Sequence, residues 1–143
     1  MRFMMLMIPH VYQGGNGKNL SDDFSPGPED VERMTKFNER LAKAGALMSL
    51  DGLQPLTKGA RISFAGGKPR VVEGSIAESK EVLGGYWMIN VKSKEEAIAW
   101  AKKCPASSNE TIEIRRVFEM DDFPQDVKDA AGNFQELQKS LNR

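Results

Sequence analysis

His10 is the one histidine in the sequence, and its imidazole is the one side chain type whose unperturbed pKa lies near neutral pH. It follows a short apolar run, residues 3–8, that predicts a buried strand. An imidazole at a strand end can act as a general base or hold a ligand, or it can lie exposed in a loop. The catalytic interpretation requires a nearby carboxylate, for which Glu73 and Asp51 are the candidates.

The carboxylates of Glu73 and Glu78 flank a glycine-containing connector at Gly74. A carboxylate beside a tight backbone turn can lose contact with water, which raises its pKa into a range suited to proton transfer. Alternatively, both carboxylates accept hydrogen bonds from backbone amides and hold the connector in shape. We predict His10 and Glu73 as candidate catalytic residues and Glu78 as a candidate ligand contact, with the structural role as the alternative.

Tyr86 and Trp87 lie next to each other in residues 85–91, a run that predicts a strand. Successive side chains of a strand point to opposite faces, so one ring should face the helices and the other the far face of the sheet. An aromatic ring with a polar edge suits the wall of a site for a small cyclic ligand. Both rings are therefore candidate ligand contacts, with a place in the core or in a subunit interface as the alternative.

Arg116 is the fourth candidate ligand contact, in a strand predicted at residues 111–118. Alternation places it on the face that also carries Ile112 and Ile114. A guanidinium among apolar side chains needs a carboxylate partner. That carboxylate would come from a second chain or from an acidic ligand.

Composition narrows the classes of function. The 143 residues include 20 basic and 20 acidic side chains, and this balance argues against nucleic acid as the main partner. A single cysteine, Cys104, excludes an intrachain disulfide and a multi-cysteine metal site, and we expect a buried thiol, no metal and no cofactor. No apolar run approaches the roughly 20 residues of a membrane span. We therefore expect a cytoplasmic protein without a membrane partner.

The order of the predicted elements indicates an α+β fold. Apolar runs and helical stripes follow one another as strand, helix, strand, strand, helix and strand, once an insertion at residues 54–83 is set aside. That insertion contains a β-hairpin turned at Gly66 and Gly67. The remaining order is the ferredoxin-like βαββαβ pattern, a four-stranded antiparallel sheet with two helices on one face. Residues 1–119 form the predicted domain, and residues 120–143 an acidic helical tail.

Both central strands of this sheet, residues 3–8 and 86–91, carry apolar residues at even-numbered and at odd-numbered positions. Such strands are covered on both faces, whereas two helices cover only one. A second copy of the chain is the simplest cover for the other face. We therefore expect a homodimer in which two sheets face each other as a dimeric α/β barrel.

The stretch from Val72 to Ile89, VEGSIAESKEVLGGYWMI, resembles the signature of the YCII-related, or DGPF-domain, proteins. Gly52–Pro55 before it and Glu96–Ala101 after it do so as well, and the resemblance covers roughly residues 2–119. It implies the dimeric ferredoxin-like α/β barrel. It also implies a small-molecule-binding or accessory role, linked in some members to sigma-factor signalling.

A few related proteins are enzymes on small cyclic compounds, with a histidine and an aspartate in their pocket. The corresponding positions here carry Asp30 and Cys104, and the name-giving Asp-Gly-Pro-Phe is replaced at residues 73–76 by Glu-Gly-Ser-Ile. Enzymatic activity is therefore uncertain. Three functions remain open: a domain that binds a small molecule, an enzyme that transfers a proton on a small cyclic or aromatic compound, and a structural module for protein interaction.

Overall fold

A computed structural model of the chain describes residues 1–10, 25–73 and 82–141. Its strands, in chain order, are β1 Arg2–Ile8, β2 Leu47–Gly52, β3 Ala60–Ser63, β4 Arg70–Glu73, β5 Gly85–Asn90 and β6 Thr111–Arg116. Its helices are α1 Pro28–Lys43, α2 Lys94–Lys102, α3 Gln125–Ala131 and α4 Phe134–Leu141.

The main sheet has four strands in the order β2-β5-β1-β6, and all neighbouring strands are antiparallel. With the β3–β4 hairpin set aside, the chain runs strand, helix, strand, strand, helix, strand. This order and pairing are those of the ferredoxin-like fold. The α+β fold expected from the sequence is thus confirmed.

The core lies between this sheet and the two helices α1 and α2. Odd-numbered residues of β1 and β5 point into it because side chains alternate along a strand, and Met5 and Ile89 are both fully buried. From α1, Phe37 and Leu41 enter the same cluster. Both helices therefore cover one face of the sheet.

Local sequence explains both ends of α1. Pro28 occupies the first turn, where its missing N–H costs nothing. Gly45 follows the helix with a φ of 72°, a left-handed conformation that glycine adopts without strain. This turn sends the chain into β2.

At the start of α2, the Ser93 Oγ accepts a hydrogen bond from the backbone N–H of Glu96 at 3.1 Å. Ser93 is thus the N-cap of α2. In a capping box the Glu96 carboxylate would accept from the N–H of Ser93; here it accepts from the N–H of Lys92 at 2.8 Å. Two side chains therefore fix the helix start, with one partner shifted by a residue from the capping-box pattern.

The inserted hairpin forms a separate two-stranded sheet of β3 and β4. Its register pairs Ile62 with Val71, which places these two side chains on the same face. The turn uses Gly66 and Gly67 at φ values of 77° and 84°, so the predicted glycine turn is confirmed.

The chain after β6 folds into two short helices. Gly132, between α3 and α4, has a φ of 56°, which explains why the helical run breaks there. The apolar residues of α4, Phe134, Leu137 and Leu141, are 46%, 53% and 75% exposed. Across the described ranges, no helix combines the length and the apolar character that crossing a membrane requires.

Candidate functional site

The face of the main sheet opposite α1 and α2 is the strongest candidate for a functional surface. The strand register arranges its side chains in two neighbouring rows. The first row contains Ser49, Met88, Met4 and Arg115, and the second contains Asp51, Tyr86, Leu6 and Glu113. We call these eight residues the open face.

The centre of the open face is apolar. Met4 and Leu6 of β1 and Met88 of β5 are partly exposed, unlike the odd-numbered residues of the same strands, which are buried. Methionine side chains are flexible and adapt to surfaces of different shape. A partly exposed apolar centre between polar flanks is typical of a binding surface.

On the β2 side, the Tyr86 hydroxyl donates a hydrogen bond to Asp51 Oδ2 at 2.8 Å. This hydrogen bond, with smaller contributions from burial and from the Asp51 charge, raises the pKa of Tyr86, and a hydrogen bond with Ser49 opposes it. Tyr86 therefore stays protonated at neutral pH, beside a carboxylate that accepts. Together they can recognise a ligand hydroxyl or N–H group.

On the β6 side, the open face carries Glu113 and Arg115. Their ion pair joins Arg115 Nη1 and Glu113 Oε2 at 3.7 Å, with 73% of the arginine side chain exposed. An exposed pair of this kind contributes little to stability. The guanidinium can therefore turn to an acidic group of a ligand or of another chain at small cost.

At one end of the open face, Arg2 of β1 pairs with Glu119 from the chain after β6. Two hydrogen bonds connect the guanidinium and the carboxylate, Nε to Oε1 at 2.7 Å and Nη2 to Oε2 at 3.0 Å. The hydrogen bond from Arg2 lowers the pKa of Glu119, against a smaller effect of burial. This bidentate pair fastens the start of the tail to the sheet.

The two predicted catalytic residues are not brought onto the open face. His10 lies just beyond β1 and is exposed. Glu73 is the last residue of β4, in the hairpin rather than in the main sheet. The Glu73 side chain and the whole of Glu78 lie outside the described residues, so the roles predicted for them stay predictions.

Tyr86 and Trp87 point to opposite faces, as alternation predicts. Trp87 is 5% exposed, on the helix side, where its ring meets Phe37 edge to face with centroids 5.9 Å apart. Its Nε1–H donates to Asn38 Oδ1 at 2.7 Å. Trp87 is therefore a core residue of this chain, and Tyr86 is the aromatic of the open face.

Arg116 lies on the helix side of β6, as predicted, but its carboxylate partner differs from the expectation. Instead of a second chain or a ligand, Asp122 of the same chain lies 3.3 Å from Arg116 Nη2. Half of the Arg116 side chain is exposed. The position at the strand end explains this, because the chain turns back there and supplies its own acid.

The two positions that correspond to the dyad of the enzymatic relatives have structural surroundings. Asp30 is exposed in the first turn of α1 and pairs with Arg33. Cys104 packs against the core cluster, and burial raises the pKa of its thiol to about 11. A thiol with that pKa is almost wholly protonated at neutral pH and is a poor nucleophile.

Of the open face, only Tyr86 and Asp51 are among the candidates that the sequence singles out, and no local pattern groups them. The missing information was the pairing of β5 between β1 and β2, which no local pattern gives. The sequence did contain one signal for this face, the apolar residues at even-numbered positions of β1 and β5. Among the residues described, no three His, Cys, Asp or Glu side chains cluster as a metal site would require.

Comparison with known proteins adds a family. Residues 1–121 match the family described as YCII-related domain. An uncharacterised protein of Rhizobium meliloti (strain 1021) is 31% identical over 78 residues, which cover 52% of this chain and 63% of that protein. The matched segment thus spans less than two thirds of the relative's length.

Proposed function

The chain belongs to the family of YCII-related domains, and we propose that its open face binds a small molecule between two copies of the chain. The domain then works as a homodimer, with the two sheets facing each other as a barrel. The observation that carries the proposal is the partly exposed apolar centre formed by Met4, Leu6 and Met88 on the face of the sheet opposite α1 and α2.

The apolar centre supports the second copy. A sheet with helices on one face leaves the other to water unless something covers it, and Met4 and Leu6 lie in the middle of that face, on a central strand. A symmetric dimer would place the same patch against itself. Burial of these side chains in the interface would stabilise the dimer by about 25 cal/mol for each Å² of apolar surface removed from water.

The polar flanks support a ligand. Tyr86 and Asp51 lie on one side of the apolar centre, and Arg115 and Glu113 on the other. A small ring that covers Leu6 could therefore place a hydroxyl at the Tyr86–Asp51 pair and an acidic group at Arg115. The ligand class proposed is a small cyclic compound with an acidic and a hydroxyl group.

Sedimentation equilibrium tests the dimer with Leu6→Glu, which places a charge at the centre of the open face. We expect at least about a tenfold rise in the dissociation constant. Val31→Glu is the matched control, since Val31 is 50% exposed on α1. Equal association of Leu6→Glu and the wild-type chain would overturn the proposed interface.

Calorimetric titration with 4-hydroxybenzoate tests the ligand class, because this probe carries a ring, a carboxylate and a hydroxyl. Tyr86→Phe and Asp51→Asn should each weaken binding about tenfold, whereas Glu39→Gln on α1 should leave it unchanged. Native mass spectrometry of the purified protein checks for a natural ligand. No probe binding together with no retained molecule would refute the ligand site.

An enzyme is the weaker proposal, because His10 and the end of β4 lie off the open face and Tyr86 is held protonated. Together with the binding function, we propose that the protein is cytoplasmic. This location is supported by the unpaired thiol of Cys104, which suits a reducing compartment.

A further inference from the structure

Two apolar surfaces lie outside the main sheet and its helices. The first is the tail face, Phe134, Leu137 and Leu141 of α4. Their spacing of three and four residues places them along one side of the helix. Half or more of Leu137 and Leu141 is exposed, at 53% and 75%.

The second surface is the hairpin face, formed by Ile62 and Val71. These two residues are cross-strand neighbours on one side of the hairpin, and they are 52% and 59% exposed. Phe64, which follows β3, is 66% exposed as well. Exposed neighbouring apolar side chains on so small a sheet mark an interaction surface.

Neither element has the size to be stable by itself. The helix α4 has eight residues, whereas isolated helices shorter than about 12 residues are marginal in water. The hairpin has two strands of four residues each, and an isolated two-stranded sheet is marginal as well. Each would gain stability from a partner that covers its apolar face.

The charges of the two segments are opposite. Residues 58–73 carry four basic residues and one acidic residue, a net charge of +3, and residues 120–141 carry five acidic and two basic residues, a net charge of −3. By register, Arg61 and Arg70 lie on the side of the hairpin opposite Ile62 and Val71. The acidic residues of the tail lie mainly in residues 121–129, before α4, whereas Glu136 and Lys139 of α4 balance each other. The attraction therefore acts between the basic hairpin and the segment that leads into α4.

We propose that the tail face of one chain packs on the hairpin face of a second copy, and that the exchange is reciprocal. Within one chain both faces are exposed, so the tail does not cover its own hairpin. A reciprocal exchange closes into a symmetric pair and leaves no open end. The contact is separate from the open face and does not depend on it.

Mixing two damaged chains tests the exchange. The hairpin variant is Ile62→Thr with Val71→Thr, and the tail variant is Leu137→Gln with Leu141→Gln. Both keep the local strand or helix preference. All chains also carry Leu6→Glu, which weakens association through the open face. The association that is measured then reports on the exchange.

Sedimentation equilibrium should show self-association of the chain with Leu6→Glu alone, and each variant should associate about tenfold more weakly or worse. An equimolar mixture should associate more tightly than either variant, because one of its two contacts is intact. Val31→Gln on α1 is the control and should change nothing.

Three results would overturn the proposal: a Leu6→Glu chain that stays monomeric at every concentration, variants that associate as well as their parent, or a mixture no tighter than its components. The first would mean that the tail covers its own hairpin in solution, or that a different partner covers both. The dimer proposed at the open face is judged separately, by comparing the wild-type chain with the Leu6→Glu chain when both carry the tail variant.

Discussion

The two faces of the main sheet are built from the same strands and differ in almost every other respect. On the helix side, Met5 and Ile89 are fully buried. On the open face, their neighbours Met4 and Met88 are partly exposed. One face holds the fold together, and the other is partly exposed among the residues that the structure describes.

The adjacent residues Trp87 and Tyr86 give the largest contrast between the faces. Trp87→Ala should lower the free energy of unfolding by about 3–5 kcal/mol, since it leaves a cavity beside Phe37 and orphans Asn38. Tyr86→Ala should cost less than about 1 kcal/mol. Urea denaturation at protein concentrations that keep the chain monomeric measures both. Similar losses would mean that the open face is covered within one chain.

A second contrast concerns two glycines that pair at the end of β2 and the start of β5. A Cβ atom at Gly85 would lie 2.9 Å from the carbonyl oxygen of Asp51, so Gly85→Ala must push β2 away from β5. We expect a loss of about 1–3 kcal/mol. Gly52, opposite Gly85 in the register, has nothing within 4 Å of its Cβ position. Gly52→Ala is therefore the control, and equal costs would contradict the explanation.

The Arg2–Glu119 pair should make a smaller, pH-dependent contribution to the free energy of unfolding. Because Arg2 lowers the pKa of Glu119, the pair stabilises the fold above the ordinary glutamate pKa of about 4.3 and loses this effect as the pH falls through the lowered value. The carboxylate is 42% exposed, so the effect should stay below about 1 kcal/mol.

Glu119→Gln tests this term through urea denaturation at neutral pH and near pH 3. The variant should be less stable than the wild-type chain at neutral pH, and the difference should shrink in acid. Glu39→Gln, on the exposed side of α1, serves as the control. A difference that persists or grows in acid would show that Glu119 acts by another route.

The smallest effect is spectroscopic. In a Tyr12→Phe background, Tyr86 is the one remaining tyrosine, and its ionisation can be followed by ultraviolet absorbance. Asp51→Asn removes the carboxylate that raises the pKa of Tyr86, so the midpoint should move down toward about 10. Asp30→Asn is a control remote in sequence. An unchanged midpoint would mean that the pair does not form in solution.

Several parts of this structure could be predicted from local patterns because local physics determines them. The proline-led start of α1, the Gly45 turn, the Ser93 cap and the glycine turn of the hairpin each depend on a few neighbouring residues. Alternation correctly separated Tyr86 from Trp87. The ferredoxin-like order followed from the sequence of these elements.

The composition of the open face was beyond such patterns, since it depends on which strands become neighbours. Asp51 meets Tyr86 only because β2 pairs with β5, 35 residues away along the chain. The same holds for Arg116, whose partner Asp122 comes from a turn after the strand. For Arg116 the prediction of a carboxylate partner was correct, but the carboxylate comes from the same chain and not from a second chain or a ligand.

The sequence by itself determined the elements, their order and which strand residues share a face, because helix ends, turns and alternation are properties of short segments. Only the tertiary structure decided which rows of side chains meet and which apolar surfaces are exposed among the described residues. Those outcomes depend on register and packing between segments far apart in the chain. The functional proposals rest on this second kind of information.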